Sequence, residues 1–227
     1  MFESSPAANG HTRPLPSWAA LLQRFYEPTG LSVPPLQELK VAQLPQPYRN
    51  LLVHSSDMTS TLAGYYGQKP RLRVLSRESQ KDSYKREVVL WVSKEERPVE
   101  YGIIRIHLDR LPPGGRRLVL QEERPLGDIL NGEGIPYLSW PQAFFRLRAD
   151  PHTGTALGLH RPSLLYGRRN VLLDGSRRLI AEVIEVLAPA ARPRMAAILR
   201  NHDVPNGSTT RRSAYINNHG LKGAWIT

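Results

Sequence analysis

The chain has 227 residues, 40% of them hydrophobic, with no cysteine and a formal net charge of +11. That length supports one sizeable core, and the lack of cysteine excludes disulfides, thiolate metal sites and cysteine nucleophiles. No basic stretch followed by an apolar segment opens the sequence, and no apolar run approaches the roughly 18 residues of a membrane span, so a cytoplasmic protein without a span is expected.

Residues 1–16 are rich in Pro, Ser, Gly and Asn and read as a flexible lead-in. One main domain is expected over 17–189. Ser17 is the predicted N-cap of a short helix with Leu21, Leu22 and Phe25 on one face and Gly30 as its stop. Prolines at 34, 35, 45 and 47 punctuate the next stretch, and a second helix is predicted from Leu51 through the segment HSSDMTSTLAGYYG. From residue 70 the pattern turns to strands: PRLRVLSRES, KREVVLWVS and RPVEYGIIRIHLDRL, the last two forming a hairpin across the charged turn SKEER.

LPPGGRR reads as a turn, with Gly114 and Gly115 as turn residues, and RPLGDIL as either a helix start or a tight loop. Residues 131–163 carry many Gly, Pro and His and are expected to form a lid or long loop. YGRRNVLLDGSRRLIAEVIEVLAP is predicted as two strands joined at Asp174-Gly175, a helix over LIAEVIEVL being the competing reading. Residues 190–227 show no sustained period and are expected to be poorly ordered or loosely docked.

The charge is concentrated late: residues 1–150 carry 20 Lys and Arg against 16 Asp and Glu, and 151–227 carry 11 against 4. A solvated basic surface explains it best, since no zinc-finger spacing, ribonucleoprotein signature or helix-turn-helix accompanies it and nucleic acid is not the expected partner. Phosphate-loop, dinucleotide, serine-elbow and zinc-protease motifs are all missing. The seven histidines lack metal-ligand spacing, so neither a metal nor a cofactor is expected.

What remains are charges embedded in apolar strands. Arg86 shares a strand face with Val88 and Leu90, and a guanidinium there needs a carboxylate, from the protein or from a ligand. Glu185 shares a face with Val183 and Leu187 and must be paired, hydrogen-bonded or raised in pKa, with Glu182 on the opposite face as the competing acid.

At these residues the sequence resembles the chorismate pyruvate-lyase family. LLVHSSDMT, KREVVLW, RPVEYGIIRIHL, RPLGDIL and LYGRRNVLLDGSRRLIAEVIEVLAP carry the resemblance, in that order, between Leu51 and Pro189. It implies an α+β fold: an antiparallel sheet with helices on one face and flap segments over a buried ligand cavity. It also implies cofactor-independent conversion of chorismate to 4-hydroxybenzoate and pyruvate, supplying a quinone-ring precursor. By the same resemblance Arg86 would hold the ring carboxylate, assisted by the N–H groups near Met58 and Leu126. Glu185, chosen over Glu182 by its distance to Pro189, would bind the C4 hydroxyl, either as an acid/base or only as an orienting group. The family has an arginine directly after the glycine of its second hairpin strand, where this chain has Ile103 after Gly102. Arg105, on the same strand face as Ile103, is the expected replacement. A non-catalytic module that binds an aromatic acid is the alternative, and a monomer is expected.

Overall fold

The computed structural model describes residues 19–93 and 97–190. The lead-in, the Ser17 cap, most of the SKEER turn and the tail beyond Ala190 lie outside the described residues. The elements follow as α1 (Ala20–Tyr26), β1 (Gln37–Leu39), α2 (Tyr48–Leu52), α3 (Met58–Tyr66), β2 (Arg71–Gln80), β3 (Ser83–Val92) and β4 (Arg97–His107). Then come α4 (Pro113–Gln121), α5 (Leu126–Gly132), β5 (Leu138–Arg148), α6 (Pro151–Ala156), β6 (Leu164–Leu173) and β7 (Leu179–Leu187). The strands form one seven-stranded sheet in the order β1-β5-β6-β7-β4-β3-β2, antiparallel throughout. The α+β antiparallel fold expected from the sequence is therefore the observed one.

Strand chemistry accounts for the layering. Edge strand β2 alternates between exposed and half-buried residues, whereas β3 is buried almost from end to end, because apolar layers cover both faces of the central sheet. On one face Val89, Tyr101, Ile103, Ile184 and Val186 pack against Leu22, Phe25 and Tyr26 of α1 and Leu157 after α6. On the other, Ile104, Ile106 and Val183 pack against Val119, Leu126, Ile129 and Leu130 of α4 and α5. Leu90, Val99 and Leu187 of that region pack against α2 and α3. The four central helices thus share one face as expected, while α1 and α6 add cover to the reverse.

Three readings change. The single helix expected from Leu51 is two, α2 and α3, because Asp57 caps the second: its carboxylate accepts from Ser60 N at 2.8 Å. LPPGGRR is no turn but the start of α4, with Pro113 in the first turn, and Gly115 gives Ile135 close approach. The middle of the expected lid over 131–163 is β5, an eleven-residue strand that tolerates Pro141 at a break in its register with β6, and α6 follows it. The short strand β1 also lies in the stretch that the prolines made look irregular. β6 and β7 meet through Asp174-Gly175 as expected, and LIAEVIEVL is strand.

Gly167 is held by packing. A Cβ there would lie 2.5 Å from the Glu185 carbonyl oxygen and 2.7 Å from Phe145 Cζ. Gly167→Ala is therefore expected to lower stability by about 1–3 kcal/mol through overpacking, read as an earlier midpoint in urea unfolding. An unchanged midpoint would show that the strands can part at no cost.

Candidate functional site

On the face covered by α2 to α5 the sheet floors a partly open cavity of about 60 Å³, several times what one water requires. Its floor is Arg86 and Val88 of β3, Gly102 and Ile104 of β4, and Val183 and Glu185 of β7; its roof includes Met58 and Thr59 of α3 and Leu126 and Gly127 of α5. The strand registers explain the shape. Gly102 lies between Val88 on one side and Glu185 on the other, and a Cβ on it would come within 3.2 Å of Val88 Cγ2. The missing side chain leaves the middle of the floor open.

The roof is fastened through Asp57. Besides capping α3, its second carboxylate oxygen accepts from Asn131 Nδ2 at 3.0 Å and from Tyr137 Oη at 3.1 Å. Gly127 packs so closely on Asp57 that a Cβ would sit 2.5 Å from Oδ1. The first turns of α3 and α5 are thereby brought together over the cavity.

Arg86 is 1% exposed. Its Nη2 donates to the Arg124 carbonyl at 3.2 Å, but Nε and Nη1 are buried without a protein partner. Burial lowers its pKa from the ordinary value, with Tyr84 and Glu122 opposing the shift. Glu122 is already engaged by Arg77 at 2.6 Å and by Tyr84. A guanidinium with two unsatisfied donors beside apolar walls has the chemistry to receive a carboxylate.

Glu185 faces the same cavity from β7, so the sheet places both expected residues on one face, with β4 between their strands. It forms a buried ion pair with Arg168 Nε of β6. Arg168 is wholly buried and donates from Nη1 to the carbonyls of Leu52 at 3.0 Å and His54 at 3.1 Å, and from Nη2 to Ser56 at 3.4 Å. Beside it His54 is pushed below the usual imidazole range by burial and then by the Arg168 charge. Met58 and Leu126 line the cavity as the first residues of α3 and α5, positions whose N–H groups have no helical partner.

Arg105 is the correction. Ile103 and Arg105 lie on the reverse face, Ile103 in the core beneath α1 and Arg105 in an ion pair with Glu182, which Arg169 joins at 3.1 Å. Neither lines the cavity. Glu182 is accordingly a structural acid, held below the usual carboxylate range by the Arg105 and Arg169 bonds against the opposing effect of burial.

Two cavity residues escaped sequence reading, Glu100 and Asn170. Glu100 Oε2 and Asn170 Oδ1 are buried without partners. Burial, and then the nearby Glu185 charge, push the Glu100 carboxyl well above the usual range, Asp57 adding to the shift and Arg168 opposing it. The available signal was parity: Glu100 is two residues from Gly102 and so on its face. The reverse face holds another buried acid, Glu87, but its oxygens accept from Tyr101 at 2.6 Å and Ser76 at 2.8 Å and contact His152. That cluster is internally satisfied. Among the described residues no group of acids and histidines is placed to hold a metal, and no helix is long and apolar enough to cross a membrane.

The sequence matches no family model and no curated protein. Solved structures similar to it include PhnF from Mycobacterium smegmatis, at 14% identity and TM-score 0.47, over 60% of this chain and 64% of that one. The chain thus spans less than two thirds of that protein. The effector domain of the same PhnF is similar at 14% identity and TM-score 0.46, over 60% of this chain and 90% of the domain. A GntR-family transcriptional regulator from Bacillus cereus is similar at 15% identity and TM-score 0.40, over 53% and 92%.

The raised Glu100 carboxyl has a measurable consequence. Above the ordinary value of 4.5 an unfolded chain ionises Glu100, while in the folded protein its raised pKa defers that ionisation to higher pH. The folded state then holds the extra proton, so this group's contribution to stability falls as pH rises through that window, by up to about 1.4 kcal/mol per unit. Urea midpoints measured between about pH 5 and 7 should fall more steeply in wild type than in Glu100→Gln. Parallel curves would mean that Glu100 is ionised in the fold.

Proposed function

We propose that the chain binds a small cyclic hydroxy-carboxylic acid in this cavity, with the ligand carboxylate on Arg86 and a ring hydroxyl on Glu185. The observation that carries this reading is the pair of unsatisfied Arg86 donors, buried in an apolar cavity whose other end offers the Glu185 acceptor. A carboxylate in the plane of the guanidinium can take one bond from an unsatisfied donor, Nε or Nη1, and a second, parallel one from the remaining N–H of the adjacent Nη2, and the first-turn N–H groups of Met58 and Leu126 assist from the roof. Val88, Ile104, Leu172 and Val183 provide apolar walls for the ring.

A ligand with one carboxylate fits best. Among the described residues that line the cavity Arg86 is the one cation, and the expected second cation, Arg105, faces away. Chorismate carries two carboxylates. Lysis of chorismate to 4-hydroxybenzoate and pyruvate is the second reading, favoured by the placement of Arg86 and Glu185 on one cavity. In it Glu185, ion-paired with Arg168, orients the C4 hydroxyl, and aromatisation supplies the driving force as the enolpyruvyl ether and the C4 hydrogen are lost. The first reading makes the chain an aromatic-acid binding module; the second makes it a lyase whose product is such an acid.

Calorimetric titration with 4-hydroxybenzoate is expected to show binding that weakens on the order of a hundredfold in Arg86→Ala, because two charge-assisted bonds are lost together. Equal affinity in the two proteins would refute the carboxylate site. Incubation with chorismate then separates the readings: pyruvate release that Arg86→Ala abolishes establishes the lyase, and binding without release establishes the module.

A further inference from the structure

The Glu185 end of the cavity offers more hydrogen-bonding capacity than one hydroxyl uses. Glu100 and Asn170 are 4% and 1% exposed, and each has a buried oxygen with no protein partner. Asn170 Nδ2 donates to Ser139 Oγ at 3.0 Å, and that hydroxyl donates to the Ser56 carbonyl at 3.2 Å. The chain of bonds fixes the amide and leaves its oxygen as an acceptor. Glu185, ion-paired with Arg168, is an acceptor too. Glu100 is of the other kind: burial, and then the nearby Glu185 and Asp57 carboxyls, push its pKa well above the usual range, which favours the neutral acid with an O–H to donate.

Register sets the spacing of these groups. Glu185 pairs with Gly102 across β4 and β7, and Glu100 is two residues from Gly102. The two acids are therefore diagonal neighbours on one face, roughly 7–8 Å apart at the backbone, within reach of neighbouring substituents on one ring. Gly102, opposite Glu185 in the register, puts no side chain into that space; a Cβ there would stand 3.5 Å from Glu100 Oε1, in ordinary contact.

We infer that Glu100 is a specificity-determining residue that donates to a second ligand oxygen, next to the hydroxyl held by Glu185, so that the site selects ring carboxylates with oxygen at both positions. Asn170 Oδ1 adds an acceptor for the same pair of substituents. This inference rests on the proposed binding of the ligand carboxylate by Arg86. A ligand with a single hydroxyl leaves the Glu100 donor buried and unpaired, which costs affinity.

The test compares 4-hydroxybenzoate with 3,4-dihydroxybenzoate by calorimetry on the full chain. Wild type is expected to bind the 3,4-dihydroxy acid about tenfold more tightly. Glu100→Gln, which keeps a donor, retains that ratio, and Glu100→Leu brings it to about one. A wild-type ratio of one or less overturns the inference without recourse to any variant, and so does an unchanged ratio in Glu100→Leu. If 4-hydroxybenzoate still binds in an Arg86-dependent way in those cases, the proposed function stands without it. If neither acid binds wild type, the proposed function fails and this inference with it.

Discussion

The buried pair between Arg168 and Glu185 is the interaction on which the site depends. A guanidinium wholly out of water is tolerated only when charge and donors are both answered. Glu185 answers the charge, and the carbonyls of Leu52, His54 and Ser56 answer the donors. Those carbonyls belong to the last residue of α2 and to the link between α2 and α3, so a side chain on the sheet holds the segment that leads into α3. Asp57 follows directly, caps that helix and draws in Asn131 and Tyr137. The roof of the cavity is in this sense hung from its floor.

Arg86 makes the contrast. Two arginines are among the largest wholly buried side chains, on strands of the same sheet, and their surroundings differ in kind. Arg168 has its partners inside the protein and is part of the frame. Arg86 has one carbonyl and two donors directed at nothing the chain supplies. Removing Arg168 would harm the frame, whereas under the proposed carboxylate binding the loss of Arg86 is felt chiefly as loss of ligand. The same division holds among the acids: Glu87 and Glu182 are saturated by neighbours, while Glu100 retains unused capacity in the cavity.

Much of the frame was legible because strands advertise themselves locally. β-Branched and apolar content marked β2 and β3, and Asp174-Gly175 marked the hairpin of β6 and β7. Local signals misled where one residue type serves two purposes. Gly114 and Gly115 suggested a turn, yet they open α4 behind Pro113, because the apolar face that follows is buried against the sheet. Pro141 argued against a strand and is accommodated where the β5 and β6 register shifts.

The sequence by itself determined which residues share a face within each strand: Arg86 with Val88 and Leu90, Glu185 with Val183, and Ile103 with Arg105. The reason is that side-chain alternation is a property of the backbone, independent of neighbours. It also placed two charges in strands too apolar to leave them unexplained. Only the tertiary structure decided which of those faces meet. Register across β3, β4 and β7 put Gly102 beside Glu185, turned Arg105 away toward Glu182 and brought Glu100 into the cavity. A one-residue slip would have exchanged all of these. Pairing of a buried charge is likewise a three-dimensional matter, and so Arg168, one of two adjacent arginines in a hairpin strand, could be recognised as the anchor of the site only once the loop that it holds was in place.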